Sequence, residues 1–506
     1  MSEDDRSNAK RGSAPRAVIW TVAAKQAERL LGIVSISILA RALSPADFGL
    51  VAMAGSVVAI IEVMSYFGFD WSLLRLSDAT RAHYNTAWTL RVLTGASVAL
   101  LILLAAYPAS LYFHRPAVAW VIVAMGLTTL LGSFDNIWMA EFRRNTQFEP
   151  EFRLRIAAKI AGFIASVGIA ITTHSYWALV AGLSVSSLTS VLMSYRLHRS
   201  RPSWDLSRHA ELLQFSVWLI GTNILETLRT RVADIWIGRH LGSNQVGHYA
   251  LASEISALAS SELVAPINRV VFSNYAQLQS DTNALREAYL RVSGIIWLVA
   301  FPATVGIWTC ARQIVAVLLG PQWGDTALVL QVLAAAGLLK VIAGNTYYVY
   351  LALGRAAFAT GLSFLGVAVF VSLTFILGPR YGLMGVAWAQ VLSSALIVLI
   401  NLVVLFHTLR LPAMEFVARN YRVVFASLTM GVLVSVMQDW LDANLHLPHV
   451  LTLSAMILAG VLSYALALFA LWRFTGKSAG SEAEVLALAR RWMSSFLERR
   501  RLAAAP

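Results

Sequence analysis

The chain has 506 residues, of which 58% are apolar and 13% are charged, and its formal net charge at pH 7 is +13. Soluble proteins carry about 25% charged residues, so this composition excludes an ordinary soluble surface and indicates a membrane protein. A positive excess would suggest nucleic-acid binding in a soluble chain. We expect no nucleic-acid partner here, because the lysines and arginines concentrate in short loops and at the two ends.

Apolar runs of roughly 18 to 25 residues, each long enough to cross a bilayer as a helix, follow one another along the chain. They predict an all-α, polytopic membrane protein of about fourteen transmembrane helices. In chain order the predicted segments are 17–40, 47–69, 86–107, 117–140, 156–173, 176–195, 212–238, 248–268, 293–317, 326–352, 358–378, 385–408, 422–440 and 449–472.

The charges of the loops predict the orientation. If residues 1–16 form a cytoplasmic tail before an uncleaved first helix, the cytoplasmic loops hold about seven times as many Lys and Arg residues as the opposite loops. The opposite side holds Arg41, Arg115, Arg239 and Arg380. The bias persists loop after loop, which predicts a bacterial inner-membrane protein with both termini in the cytoplasm.

Residues 473–506 form a second basic tail in this prediction. From Glu484 to Arg501, apolar side chains fall near one helical face, with arginines around them. The pattern is typical of an amphipathic helix on an anionic leaflet. A frayed basic tail explains it equally well.

An internal repeat divides the chain. Arg41–Ala54 aligns without a gap with Arg239–Ala252, and at the same offset Glu28 falls on Glu226. The repeat predicts two pseudo-symmetric six-helix lobes, 17–200 and 201–408, followed by two appended helices over 409–472. Parallel repeats of this kind enclose a central site and rock about it, which favours transport over anchoring.

The first predicted helix has charged residues in its interior. Lys25, Glu28 and Arg29 share one helical face. A charged side chain at a helix centre costs about 2.5–3.5 kcal/mol on insertion scales. Several in one helix must therefore face a water-filled cavity, pair with one another, or both.

The seventh predicted helix repeats this pattern, and the tenth has one cation. Glu226 and Arg229 are three residues apart, as are Arg231 and Asp234, and Lys340 lies in the middle of the tenth helix. We expect a central cavity with a cationic surplus. The alternative is that these groups form intrahelical ion pairs needed for folding or orientation, and that Lys340 snorkels to the interface.

Further polar residues lie in apolar segments. Glu254 and Glu262 are two turns apart on the eighth helix, so they are candidate cation or proton sites or helix-to-helix hydrogen-bond partners. Asp135 is open to the same two interpretations. The sequence has no phosphate-binding loop, nucleophile elbow or metal-spaced cluster, so we expect no catalytic residue, metal or cofactor. Its one cysteine, Cys310, excludes an intramolecular disulfide.

Several short motifs follow one another along the chain. They are Leu39–Ala54, Phe67-Gly68-Phe69, Leu319-Gly320-Pro321-Gln322-Trp323, Leu353-Gly354-Arg355 and Tyr381–Ala387. In their order and spacing they resemble the motifs of bacterial polysaccharide transporters of the Wzx type, and the resemblance covers most of the chain, from about residue 15 to 475. Asp70-Trp71 departs from the small residues that the family pattern would have there.

The resemblance implies membership of the multidrug/oligosaccharidyl-lipid/polysaccharide exporter superfamily and its MATE-like fold. It implies a flippase, not an enzyme, which moves undecaprenyl-diphosphate-linked oligosaccharide repeat units to the periplasmic leaflet for exopolysaccharide, capsule or O-antigen synthesis. The anionic diphosphate would then meet the cations in the predicted cavity: Lys25, Arg29, Arg229, Arg231 and Lys340. Proton or sodium coupling would use Glu28 and Glu226. A polysaccharide polymerase and a chain-length regulator are the implied protein partners.

Two other functions stay open. A drug or cation exporter of the same superfamily would prefer an acidic or aromatic cavity, which the cationic surplus disfavours. A membrane glycan polymerase usually carries a large periplasmic loop, whereas the predicted opposite-side loops here do not exceed roughly ten residues.

Overall fold

A computed structural model describes residues 26–63, 72–73, 76, 79–145, 147–262, 264, 267, 271, 274–445 and 447–475, without the side chains of 213–222, 261 and 262. The predicted N-terminal tail, Lys25 and the predicted amphipathic segment from Glu484 to Arg501 lie outside the described residues. Over the described ranges the secondary structure consists of helices joined by turns, which confirms the all-α fold.

Unit 1, the first of two compact units, comprises the described residues up to Ala250 together with Leu318–Gln322. Its long helices run in alternate directions along the chain. The loops 134–148 and 198–208 therefore lie at one end, here named the basic end, and the turns 43–44, 114–115 and 241–242 lie at the other, the turn end. Its helices are α1 (26–42), α2 (Pro45–Val63), α3 (Arg81–Phe113), α4 (Pro116–Ser133), α5 (Met139–Arg144), α6 (Glu149–Thr173), α7 (Trp177–Leu197), α8 (His209–His240) and the first half of α9 (Ser243–Ala257).

Unit 2 comprises Leu251–Val317 and the described residues from Trp323 onward. After the end of α9 and a π-helical turn at Leu258–Glu262, its helices are α10 (Thr282–Thr309), α11 (Ala311–Leu318), α12 (Gly324–Ile342), α13 (Thr346–Ala352), α14 (Ala356–Thr408), α15 (Ala413–Asn444) and α16 (His449–Phe474). Within α14, Gly382 has φ 59° and ψ −137°. A glycine adopts this conformation readily, and it separates two helices between the predicted segments 358–378 and 385–408.

Each of the fourteen predicted segments overlaps a helix. In the described part of the chain, ten helices are long and apolar enough to cross a membrane, and α14 is 53 residues long. Neither α8, which carries many charges, nor the 15-residue α9 is among the ten. The polytopic class is confirmed, whereas the count of fourteen stays a prediction.

The surface of α16 shows how this chain meets lipid. Its buried residues are Thr452, Met456 and Gly460, which form one stripe at helical spacing. Most of its large apolar side chains are exposed, among them Leu458, which is 64% exposed. A soluble protein rarely exposes so large an apolar surface, whereas a bilayer makes it favourable.

The two copies of the repeat meet at the turn end of unit 1. A Cβ atom on Gly49 would overlap the carbonyl oxygen of Ser243, and a Cβ atom on Gly247 would overlap that of Pro45. In the repeat alignment Gly49 is equivalent to Gly247, and Pro45 to Ser243. The contact is therefore reciprocal, as across a two-fold axis, and it supports the internal repeat.

Two long side chains join other helix ends beside this reciprocal contact. Gln322 Nε2 donates to the carbonyls of Ala40 and Leu43, at 2.5 and 2.9 Å, where α1 ends. Arg239 Nη1 donates to the carbonyl of Tyr112, at 2.6 Å, where α3 ends. Both side chains donate to carbonyls that a helix leaves unpaired at its C-terminus. They therefore stabilise the contacts between helices at the turn end.

The loop 198–208 connects the two predicted lobes and is bound along the first turns of α3. Asn85 Nδ2 donates to Ser203 Oγ at 2.7 Å, and the Ser203 N–H donates to Asn85 Oδ1 at 3.2 Å. The Asp205 N–H donates to Thr89 Oγ1 at 3.0 Å. These bonds explain why α3 buries polar side chains near its start.

The predicted lobes follow the repeat in the sequence, whereas the two compact units follow the contacts between helices. α8 belongs to unit 1 because Gly238 lies against Met53 and Phe113; a Cβ atom on it would come within 2.8 Å of both side chains. The lobes 17–200 and 201–408 stay a prediction.

Candidate functional site

Glu28, one of the charged residues predicted inside the first helix, forms an ion pair with another helix. Glu28 Oε1 lies 3.9 Å from Arg155 Nη1 of α6. Arg29 also has an interaction partner, and Lys25 lies outside the described residues. Glu28 of the first helix therefore contacts α6 within unit 1.

The charges of α8 pair within that helix, as their spacing allows. Arg229 donates from Nη2 and Nε to the two carboxylate oxygens of Glu226, at 2.5 and 2.9 Å. Arg231 Nη1 lies 3.6 Å from Asp234 Oδ2, and the Asp234 side chain is buried. The Glu226 side chain is 61% exposed. The carboxylate of the Arg229–Glu226 pair is thus exposed, whereas that of the Arg231–Asp234 pair is buried.

The remaining predicted residues belong to unit 2. Lys340 on α12 and Glu254 on α9 each have an interaction partner, and the side chain of Glu262 lies outside the described ones. The central cavity that would bring Lys340 together with Arg29 and Arg229 stays a prediction, as do the roles assigned to all these residues.

At the basic end of unit 1 there is a polar crevice that sequence analysis did not predict. It consists of two adjoining hollows of about 250 and 400 Å³, which share the lining residues Asp135, Leu154, Arg155 and Ser190. The first hollow is also lined by Arg91, Asn136, Ile137, Met139, Ala140, Arg143, Glu151 and Ser194. The second is also lined by Glu28, Ala158, Lys159, Leu183, Ser186 and Ser187.

A chain of ion pairs runs along one wall of the crevice. Glu151 accepts from Arg143 Nε at 3.0 Å and from Arg155 Nη2 at 2.7 Å. Arg155 in turn reaches Glu28 of α1. The chain links α1, α6 and the segment that holds α5, so any movement of α1 would change the wall of the crevice.

The other wall is formed by α3, α7 and the end of α4. Asp135 Oδ2 lies 3.5 Å from Arg91 Nη2, and Ser190 Oγ donates to the Asp135 carboxylate at 3.3 Å. Asp135 thus makes the helix-to-helix contact that was one of its two expected roles. Lys159 differs from these groups, because it makes no hydrogen bond or ion pair within the described part of the chain.

Two residues of the crevice carry a sequence signal that predicts a cavity. Arg91 and Lys159 are isolated cations inside the predicted apolar segments 86–107 and 156–173, and a lone cation in such a segment is costly unless it faces a cavity. Metal binding has no comparable support: among the described residues, no three or more His, Cys, Asp and Glu side chains are placed to hold a metal ion.

Ten helices long and apolar enough to cross a membrane, in the part of the chain that the structure describes, define a multi-pass membrane protein. The fold agrees, since the lipid II flippase MurJ in its inward closed conformation superposes with a TM-score of 0.71 at 15% sequence identity, over 90% of this chain and 99% of MurJ. The chain belongs to the family described as "Polysaccharide biosynthesis protein", whose family model matches residues 38–328, more than half of its length.

Two curated relatives extend the likeness beyond this range. The lipopolysaccharide biosynthesis protein WzxC of Escherichia coli (strain K12) is 24% identical over 399 residues, covering 77% of this chain and 80% of WzxC. The succinoglycan biosynthesis transport protein ExoT of Rhizobium meliloti (strain 1021) is 25% identical over 329 residues, covering 65% of this chain and 66% of ExoT. The resemblance to Wzx-type polysaccharide transporters is confirmed.

Proposed function

We propose that this protein is a flippase that moves undecaprenyl-diphosphate-linked oligosaccharide repeat units from the cytoplasmic to the periplasmic leaflet, for the synthesis of exopolysaccharide, capsule or O-antigen. The observation that carries the proposal is the family match over residues 38–328. Relatives named for lipopolysaccharide biosynthesis and succinoglycan transport support it, as does the fold of a lipid II flippase. A transporter needs no catalytic residue.

The cations of the apolar helices suit the diphosphate. Arg229 already holds Glu226 through two N–H groups, but a guanidinium has five donors and can bind a phosphate oxygen at the same time. Arg29, Arg231, Lys25 and Lys340 are the further cations that we assign to the substrate. The lipid tail remains in the bilayer, where it costs nothing to keep it.

The acidic residues are candidates for ion coupling or for holding these cations in place. They are Glu28, Glu226, Asp234, Glu254 and Glu262. The exposed Glu226 is the natural position for a proton or sodium ion, since its binding would weaken the hold on Arg229 and free that cation for the diphosphate. This step would link ion binding to substrate binding.

We place the protein in the bacterial inner membrane with both termini in the cytoplasm. The loop arginines support this orientation, because cytoplasmic loops are enriched in Lys and Arg. In this orientation the basic end of unit 1 faces the cytoplasm and the turn end faces the periplasm. A polysaccharide polymerase and a chain-length regulator would act on the delivered repeat units.

A deletion strain tests the proposal. We expect loss of surface polymer and accumulation of a complete undecaprenyl-diphosphate oligosaccharide, whose mass is measured in the lipid extract by mass spectrometry. Accumulation of no lipid-linked glycan, together with increased drug sensitivity, would instead support the drug exporter.

Complementation of the same strain tests the cations. Arg29→Ala and Arg229→Ala should abolish polymer export while the protein still inserts in the membrane at the normal level. Arg153→Ala is the matched control, because the Arg153 side chain is 63% exposed and pairs only locally with Glu149. Normal export by the Arg29→Ala/Arg229→Ala double variant would remove both residues from the substrate site.

A further inference from the structure

We propose that the polar crevice at the basic end of unit 1 binds sugar hydroxyl groups of the lipid-linked glycan. The inference rests on the proposed function and adds to it a second, separate part of the substrate site. The crevice lies between α1, α3, α6, α7 and the end of α4, and it is distinct from the arginines of α8 that we assign to the diphosphate.

The mixture of charges in the crevice argues against a phosphate group as its ligand. Four cations line it, Arg91, Arg143, Arg155 and Lys159, but so do three carboxylates, those of Glu28, Asp135 and Glu151. Three of the cations already face a carboxylate within 3.5 Å. A phosphate placed among these carboxylates would be repelled by them.

The same mixture argues against a cationic drug. Arg155 and Lys159 both line the wider hollow, and the Lys159 ammonium makes no ion pair within the described residues. A cationic ligand would therefore come close to this ammonium and be repelled by it. The three carboxylates of the crevice already pair with arginines, so they would offset this repulsion only weakly. Neither a simple anion nor a simple cation therefore fits the crevice.

Hydroxyl groups fit because each one both donates and accepts a hydrogen bond. They can donate to Glu28 and Asp135 and accept from Lys159 and Arg155. Ser186, Ser187 and Ser190 place three hydroxyls of α7 along the wider hollow, and Ser186 makes no hydrogen bond of its own within the described part of the chain. Charge-assisted hydrogen bonds of this kind are the stronger ones.

Size and position agree with this ligand class. The two hollows, of about 250 and 400 Å³, together fall within the range of roughly 300–1,000 Å³ that small-molecule sites have. In the proposed orientation the crevice opens towards the cytoplasmic leaflet, where the glycan is loaded. A sugar held there would also contact the Glu28–Arg155 pair and thereby sense the position of α1.

The test compares two lipid probes on the purified full-length protein in nanodiscs. One probe is synthetic undecaprenyl diphosphate, which has no sugar, and the other is the lipid-linked oligosaccharide extracted from the deletion strain. We expect the wild-type protein to bind the glycan-bearing lipid more tightly than the bare lipid. Lys159→Gln and Ser186→Ala should each weaken binding of the glycan-bearing lipid by about tenfold, the effect of losing one hydrogen bond to a charged or polar group.

The same variants should leave binding of bare undecaprenyl diphosphate unchanged, because the diphosphate does not enter the crevice. Both side chains lack partners in the described protein, so their loss should not disturb folding. Arg153→Gln on the outer face of α6 and Thr189→Val on α7, whose hydroxyl donates to the Val185 carbonyl of its own helix at 2.8 Å, are matched controls that should retain wild-type binding of both lipids.

Equal affinity of the wild-type protein for the two lipids, or full affinity of the crevice variants for the glycan-bearing lipid, overturns the crevice assignment and leaves the flippase proposal standing. If the deletion strain accumulates no lipid-linked glycan and the protein does not bind the bare lipid, the proposed function itself fails, and the crevice assignment fails with it.

Discussion

Replacing Gly49 by alanine perturbs the reciprocal contact between the starts of α2 and α9. The added methyl group would overlap the carbonyl oxygen of Ser243, and this oxygen belongs to the backbone, so it cannot rotate away as a flexible side chain would. Overpacking an interior costs typically about 1–3 kcal/mol, and the rigidity of the obstacle favours the upper half of that range. An energy of about 2–3 kcal/mol changes the balance between the packed and separated turn end by about 30- to 150-fold.

Cysteine labelling measures that balance. The one native cysteine, Cys310, is buried and can be replaced by serine, after which Ser243→Cys introduces a reporter at a position that is only 6% exposed. Adding Gly49→Ala should accelerate its reaction with a membrane-impermeant maleimide by about tenfold or more. Gly55→Ala, on the same helix, should not, because its added Cβ atom would lie 4.0 Å from Met125 Cε, an ordinary van der Waals contact. Equal labelling rates in the two variants would refute the assignment of the contact.

Two further substitutions test side-chain hydrogen bonds that join separate segments of unit 1. Gln322→Leu removes two hydrogen bonds at the end of α1 and should cost about 1–3 kcal/mol, seen as a lower thermal unfolding midpoint in detergent; Gln331→Leu, which loses one bond of 3.4 Å, should change it little. Asn85→Ala removes both bonds to Ser203 and should speed trypsin cleavage at Arg199 and Arg208 of loop 198–208, whereas Ser97→Ala on the same helix should not. Unchanged cleavage would mean that other contacts hold this loop.

The helical segments could be predicted because a bilayer requires each segment to satisfy its own backbone hydrogen bonds. This requirement is local, so an apolar run is sufficient to locate a helix. The sequence did not predict helix breaks that depend on contacts with residues far along the chain. The predicted segment 326–352 is divided by a turn at 343–345, where the buried Asn345 donates to the hydroxyl of Tyr275 at 2.9 Å. No pattern within the segment indicates that partner.

The candidate site shows the same limit. The spacing of Glu226 and Arg229 was enough to predict that they can pair, because both lie on one helix. The partner of Glu28 is Arg155, on a helix far along the chain, and nothing in the sequence of α1 indicates it. The crevice was missed for the same reason: its charged lining comes from α1, α3, α6 and the segment 134–144, and α1 and α3 are far from the other two along the chain.

The reciprocity of the turn-end contact makes one copy of the repeat complementary to itself. Each copy supplies a glycine and also the backbone carbonyl that the other copy's glycine meets. A half-length polypeptide would therefore close the same contact with a second molecule as a two-fold homodimer, and duplication and fusion of its gene would preserve that contact within one chain. Because only the carbonyl takes part, different residues can supply it, as Pro45 and Ser243 do, whereas Gly49 and Gly247 have no room for a Cβ atom.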